Sequence, residues 1–266
     1  MELIQSVGGV RPIPEALVRH IAEGRERQGY LLIIDEVQTG LYRTGPFSQS
    51  QAFGLSPDMM LLGKGTSDMM FPFSLTLYSD KVGELLEARG AGLVDTIRGR
   101  YGYELGYRTV LNALRAAEDL GLAGRVPEAG ARFERTLRDR LAPLKTMREV
   151  RAFGLLIAVE LDARGGLRRW LRKRIAALYL LAMLRHQRAP LLAGFCQYEP
   201  NTLKITPPLN VSHEEIDRAC ETIIDVLGRP LPQVAVAGIA GLWKPSHLRK
   251  GDHEHGNRPD VKLAAR

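Results

Sequence analysis

Apolar residues fall along this chain in two patterns. Short unbroken runs, Leu31-Leu32-Ile33-Ile34 and Met59-Met60-Leu61-Leu62, stop on Asp35 and on Gly63-Lys64-Gly65. Runs of this length closed by polar or glycine residues predict strands buried on both faces. Longer segments carry apolar residues at helical spacing. Residues 12–28 do so through Leu17, Val18 and Ile21, with Pro14 in the first turn and Gly29 as the stop. Residues 104–120 do so through Leu105, Val110, Leu111 and Leu114, and residues 167–188 at positions 167, 171, 175, 178 and 182.

Weaker signals fill the gaps. Residues 49–53 predict a short helix closed by Gly54, residues 73–78 a strand, and residues 81–88 a helix capped by Ser79 or Asp80. Residues 90–102 read as irregular. Residues 127–141 predict a helix and residues 150–161 one strand around Phe153-Gly154-Leu155-Leu156-Ile157. Two more strands are expected at 191–195 and 202–206, the second ended by Pro207-Pro208. Ser212-x-x-Glu215 has the spacing of a capping box and opens a helix to residue 227.

The order of these elements predicts an α/β fold. A helix-bearing connection joins the strands ending on Asp35 and Gly63, so they should pair in parallel with a right-handed crossover. The organisation read from this is a mainly parallel large unit over residues 1–121, a small α+β unit over 122–228, and a flexible tail over 229–266.

Composition narrows the class without naming it. Hydrophobic residues make up 45% and charged residues 25%, an ordinary balance for a soluble globular chain. The net charge of +7 raises nucleic acid as a partner, yet the surplus is Arg spread along helical stretches with few aromatics and no recognisable motif. It reads as a solvated surface, and so do Arg168, Arg169, Arg172, Lys173 and Arg174. Cys196 and Cys220 give neither a metal spacing nor a disulfide framework. His253 and His255 in the tail lack a scaffold for a metal. With no leader-like start and no apolar run long enough to span a bilayer, a cytoplasmic protein with no membrane or nucleic-acid partner is expected.

The chemistry lies in the two closed strands. Beyond the carboxyl ends of parallel strands, Asp35 and Lys64 should share one sheet edge. A lone Asp after a strand is most often a turn or cap, and a lone Lys between glycines a solvated loop residue. Together they also suit a different use: the amine can form a Schiff base with an aldehyde cofactor, and the carboxylate can keep a cofactor ring nitrogen protonated.

The strings around both residues resemble a known family. Asp35-Glu36-Val37-Gln38-Thr39-Gly40, continuing to Arg43-Thr44-Gly45, resembles the signature of class III aminotransferases, which are pyridoxal 5'-phosphate enzymes of fold type I. So does Ser56-Pro57-Asp58, running on to Gly63-Lys64-Gly65 and then Pro72-Phe73-Ser74. The resemblance covers residues 1–228 and the second half of a family member. It implies Asp35 on the pyridine nitrogen, Val37 against the ring face, Gln38 near the ring hydroxyl and Lys64 as the Schiff-base lysine. It implies amino-group transfer from an amine or amino acid to an oxo acid, by a homodimer or larger assembly. The alternative is a truncated, non-catalytic remnant or one part of a split enzyme.

Three departures stand out. Glu2-Leu3-Ile4-Gln5-Ser6-Val7-Gly8-Gly9 resembles the family segment E-P-I-Q-x-E-G-G, with Val7 at the second Glu. Lys204 stands where ornithine- and gamma-aminobutyrate-type members carry an Arg that binds a substrate carboxylate and pairs with that Glu. Lys204 is therefore expected to bind substrate at one point and to lack a counter-ion. Arg100 falls where the family places a Thr that reaches the cofactor phosphate from the partner subunit, and is expected to bind that phosphate.

Overall fold

The computed structural model describes residues 1–67, 72–90, 92–162 and 174–239. The chain opens with a short antiparallel arm, β1 (Ile4–Gln5) on β2 (Arg11–Pro12). Helix α1 (Glu15–Gln28) follows and ends where Gly29 takes the left-handed φ of 73°, its N–H donating to Arg25 O. Strand β3 (Ile33–Asp35) comes next, then helix α2 (Gln49–Ala52), capped by the Ser48 hydroxyl, and strand β4 (Met59–Leu62). The expected parallel pair forms, with Asp35 opposite Leu61. A 3₁₀ turn (Gly65–Ser67) leads on towards β5 (Leu75–Tyr78), which pairs with β4 antiparallel. This sheet is thus mixed, one parallel and one antiparallel pair, where a mainly parallel sheet was expected.

Its burial also differs from expectation. Leu32 and Ile34 are buried with Leu3 and Val18, under α1. Leu31 and Ile33, which alternate onto the other face, are each 39% exposed. The apolar run is continuous, but the cover on its second face is partial among the described residues.

Three helices complete this part: α3 (Asp80–Arg89), α4 (Leu93–Tyr101) and α5 (Glu104–Asp119). Helix α4 replaces the irregular stretch expected at 90–102. None of its residues is buried, although Leu93, Ile97 and Tyr101 recur at helical spacing.

Helix α6 (Leu122–Leu141) starts a full turn before Pro127, which sits inside it. The single strand expected at 150–161 is a hairpin, β6 (Met147–Phe153) and β7 (Leu156–Leu161). The turn is set by Gly154 at φ +51, where a side chain would meet the Thr44 backbone at 2.8 Å. Helix α7 (Ile175–Leu184) covers part of the span expected at 167–188. Residues 163–173, with four of the five clustered basic residues, lie outside the described residues. Strands β8 (Gly194–Phe195) and β9 (Thr202–Ile205) complete an antiparallel sheet of order β6-β7-β9-β8.

Helix α8 (His213–Gly228) opens on the expected capping box, with the Ser212 hydroxyl accepting from Glu215 N at 3.2 Å and Glu215 returning to Ser212 N at 2.8 Å. Helix α9 (Leu231–Ile239) occupies the start of the segment expected as a flexible tail. Leu231 and Val234, one turn apart, are both buried in the core, which explains the helix. Residues 240–266, with His253 and His255, lie outside the described residues.

The main core lies between α6, α7, α8 and the four-stranded sheet, around Phe133, Leu137, Tyr179, Ile157, Ile216 and Ile223. Among the contacts that join this core to the first part of the chain, two are plain. Arm residues Ile4 and Val10 bury against Leu156, Ala158 and Cys196. Arg43 donates to Pro207 O at 2.6 Å while its own carbonyl accepts from Leu155 N. Burial pushes the Arg43 guanidinium down to about 10, which leaves it charged at neutral pH.

Candidate active site

The loop after β3 separates two adjacent carboxylates by what each can bond. Asp35 Oδ1 accepts from Val37 N at 2.9 Å, a local turn that leaves its second oxygen available at the strand end. Glu36 turns into the protein and is fully buried. It accepts from Ser50 N at 2.7 Å, Ser50 Oγ at 2.8 Å and Thr39 Oγ1 at 2.5 Å. A buried carboxylate satisfied three times holds the loop to α2 and has no oxygen to spare for a ligand. Gly40 closes this loop against the sheet, since a side chain there would meet Glu36 O and Leu62 Cδ2 at 2.9 Å.

Lys64 stands two residues beyond β4, on the same sheet edge as Asp35. Its backbone holds the left-handed φ of 52°. Such a conformation costs a residue with a side chain on the order of 1–3 kcal/mol and gathers at functional sites. Beside it, a side chain on Gly63 would lie 3.2 Å from Val37 Cγ1, so Val37 and Gly63 pack face to face. Both line a cavity of about 990 Å³ with Lys64, Ser74, Arg98 and Tyr107. Partial desolvation and the repulsion of Lys204 hold the Lys64 amine below the usual lysine range, against the pull of Asp35 and Glu2.

The remaining groups meet on Ser6. This buried hydroxyl accepts from Gln38 Nε2 at 2.9 Å and from Lys204 Nζ at 3.4 Å. Its carbonyl accepts the Cys196 thiol at 3.3 Å, and burial pushes that thiol up. Gln38 comes from the first sheet and Lys204 from the second, so Ser6 ties the two. Sequence reasoning chose neither Ser6 nor Glu2. Glu2 lies among the same charges: burial first, then Asp35, raise its carboxyl above the usual range, while the Ser6 backbone, Lys64 and Lys204 pull it back. The available signal was its place one residue before the buried pair Leu3-Ile4.

The structure thus brings together Asp35, Val37, Gln38, Lys64 and Lys204. It does not bring Arg100 to them within one chain. Arg100 is exposed on α4 and lies over the Tyr101 ring at 5.7 Å, while the arginine on the cavity wall is Arg98. Among the described residues, no cluster of His, Cys, Asp or Glu has the makings of a metal site. No described helix is long and apolar enough to cross a membrane.

The arm that carries Glu2 and Ser6 is anchored by charge. Buried Glu160 accepts from Arg11 at 2.5 Å and from Arg148 and Arg151 at 2.8 Å, and Arg151 donates on to Gly9 O at 2.6 Å. A buried carboxylate with three cationic donors is compensated; removing its partners would leave it exposed to the full cost of desolvation.

Lys64 and Asp35 thus stand at one edge of the three-stranded sheet, with Gln38 held by Ser6. The profile of the Aminotransferase class-III family matches residues 1–227, and the chain belongs to that family. An ornithine aminotransferase of Bordetella pertussis is 32% identical over 232 residues, 87% of this chain and 51% of that protein. A [LysW]-aminoadipate semialdehyde transaminase of Deinococcus radiodurans is 32% identical over 233 residues, 88% of this chain and 49% of that protein. The solved ornithine delta-aminotransferase of Plasmodium falciparum superposes with a TM-score of 0.70 at 28% identity, covering 85% of this chain and 54% of that one. The chain therefore spans about half the length of the relatives it matches.

Proposed function

We propose that this chain carries the lysine-bearing part of a pyridoxal-phosphate-dependent aminotransferase, moving an amino group from an amine or amino acid to an oxo acid. The observation that carries this reading is that Lys64 and Val37 line one cavity while Asp35 ends the neighbouring strand at the same sheet edge, on the strands that match the family. The donor set fits the ring end of the cofactor. Asp35 would hold the ring nitrogen, Gln38 the ring hydroxyl, Val37 one ring face, and Lys64 the aldehyde carbon. When bound, pyridoxal phosphate supplies an electron sink for the charge left when substrate carbon loses a proton.

The side chains supply the rest. The depressed amine of Lys64 has a larger neutral fraction near pH 7 than an exposed lysine, which suits it to take and return a proton. Asp35, fixed by the turn that Val37 N completes, would present its second oxygen to the ring nitrogen. Lys204, held by Ser6, would bind a substrate carboxylate at one point, without the two-point grip of a guanidinium. Arg100 would reach the phosphate from a second copy, since α4 presents it to solvent.

On this reading the assembly is a homodimer or larger and the location cytoplasmic. The chain divides near residue 121, between α5 and α6. A remnant or one part of a split enzyme is the second reading. The half-length match and the partial cover on the three-stranded sheet favour it.

The test is direct. The chain is incubated with pyridoxal phosphate, reduced with borohydride and mapped by mass spectrometry. A pyridoxyl group on Lys64 is expected. A label on a different lysine overturns the assignment, and no label on any lysine turns the reading to the remnant.

A further inference from the structure

The four-stranded sheet covers different things with its two faces. Ile157, Val159 and Leu161 of β7 join the main core, so Leu156, Ala158 and Glu160 lie on the other face. On that face Arg151 of β6 and Lys204 of β9 stand opposite Ala158, one on either side. The arm of β1 and β2 lies over this row and is gripped from both ends. Arg151 Nη2 donates to Gly9 O at 2.6 Å, and Lys204 Nζ donates to Ser6 Oγ at 3.4 Å. Ala158, small enough to let the arm approach, takes Ile4 and Val10 between the two grips. Tyr198 N donates to Val7 O at 3.0 Å and the Cys196 thiol to Ser6 O at 3.3 Å, which completes the seating.

The arm is held in a strained shape. Buried Val10 has the left-handed φ of 54°, which a β-branched residue rarely adopts, and follows Gly9 at φ 96°. Such a backbone persists only where its surroundings over-determine it. Here they are the burial of Val10 and the Arg151 grip on the carbonyl before it. Arg151 is itself aimed by carboxylates: Nη1 donates to Glu149 and Glu160, which leaves Nη2 for Gly9. Glu160 also takes Arg11 of the arm. We propose that Arg151 is a positioning residue, a latch that fixes the strained arm on the second sheet and so sets where Ser6 meets Gln38 and Lys204. This rests on the reading of Gln38 and Lys204 as ligand-binding groups. Released from Arg151, the arm would relax at Val10 and lift as one unit, since β1 and β2 pair with each other and not with the larger sheets. Ser6 would then leave Lys204, and Cys196 would lose its cover.

The two cysteines supply a test with its own control. Cys196 is buried under the arm, whereas Cys220 is buried in the main core on α8. In the cofactor-free chain, labelling of both thiols by iodoacetamide and of Lys204 by a trace of acetic anhydride is followed by mass spectrometry. Under conditions where opening and closing outpace labelling, the rate reports the open population. Arg151→Met should speed Cys196 by about tenfold or more, the effect of losing a hydrogen bond to a charged group. Lys204 should speed with it and Cys220 should not. Arg151→Lys, which keeps the charge and one donor, should restore part of the slow rate. Arg11→Met serves if Arg151→Met does not fold; Arg11 is half exposed, and its loss should speed Cys196 and Lys204 by a smaller factor. A merely structural role would speed Cys196 and Cys220 together, and that outcome overturns the proposal. So do unchanged Cys196 rates in the folded variants, and a faster Cys196 with Lys204 unchanged, which would leave an arm that is latched but positions nothing. Since no cofactor is present, the result is independent of where borohydride places the pyridoxyl group.

Discussion

The two sheets of this molecule use the same kinds of residue and bury them differently. In the four-stranded sheet, all six residues of β7 are buried, and α6, α7 and α8 close a core over one face. In the three-stranded sheet, Leu31 and Ile33 are 39% exposed and Leu77 and Tyr78 are 43% and 45% exposed. Yet Lys64, Asp35 and Gln38 all stand on the less covered sheet. The second region supplies its own hydrophobic stability; the first holds the proposed site and depends on local devices, such as triply bonded Glu36 and the Arg43 contact to Pro207.

The sharpest test of this contrast removes one apolar side chain from each region. Phe133 on α6 is fully buried, and Phe133→Ala should cost about 3–5 kcal/mol from lost burial and the cavity left behind. Leu77→Ala on β5 should change stability by less than about 0.5 kcal/mol. Urea denaturation of both variants measures this. Equal losses would mean that something covers β5 in solution as fully as the helices cover β7.

That cover would come from association. Ile97 and Tyr101 lie one turn apart on α4 and are 43% and 70% exposed. An apolar face of this kind on a domain favours self-association. Sedimentation should show a dimer or larger, and Ile97→Glu with Tyr101→Glu should weaken it by about tenfold, or about 1.4 kcal/mol. A monomer at all concentrations would confine the contrast to one chain and remove the dimer from the proposed function.

A third test separates the regions by pH. Burial pushes the Cys220 thiol on α8 up to about 12 from its ordinary value of 9.0. A raised folded-state value means that the folded chain holds this proton more tightly than the unfolded chain. Its contribution is fully present below pH 9.0 and is lost as pH rises towards about 12. Denaturation midpoints should fall across that window, with a slope of at most about 1.4 kcal/mol per pH unit from this group. Cys220→Ala should flatten the fall; an unchanged slope would assign it to other groups.

The contrast also explains what the sequence disclosed. Helix α8 is legible because Ile216, Cys220, Ile223 and Leu227 are buried along it and burial imposes a period. Helices α1 and α5 are legible from apolar spacing alone, since Leu17, Leu105 and Leu111 are exposed, and α4 has such spacing too, in Leu93, Ile97 and Tyr101, but sits among glycines. The β6–β7 turn was missed because Gly154 serves a tertiary contact with Thr44, invisible to a local pattern. Of the site, Asp35 and Lys64 follow from strand ends and Val37 and Gln38 from the resemblance. Glu2 and Ser6 owe their places to an arm that crosses from one sheet to the other, and no spacing in the sequence encodes that crossing. The α/β fold was legible as expected; the antiparallel pairing of β5 with β4 was not, because the run Leu75–Tyr78 carries no mark of strand direction.

The smallest expected effect tests whether the two regions act as one. Gln38 belongs to the first sheet and Lys204 to the second, and both donate to the hydroxyl of Ser6. One oxygen with two donors is a physical link, because moving either donor changes the geometry available to the other. Such a link should appear as a coupling energy. Gln38→Ala and Lys204→Met, made singly and together, should each cost about 1 kcal/mol or less, the range for one hydrogen bond. Their sum should miss the double variant by about 0.5 kcal/mol, since residues sharing a network are not additive. In a Ser6→Ala background the same cycle should close to zero, because the shared acceptor is gone. If coupling survives without the Ser6 hydroxyl, it runs through Arg43 and the Pro207 carbonyl instead, and Arg43→Lys should then abolish it. If neither change affects it, the regions couple by packing alone, through Ile4 and Val10 against Leu156 and Ala158, and the polar site is a passenger on an apolar joint.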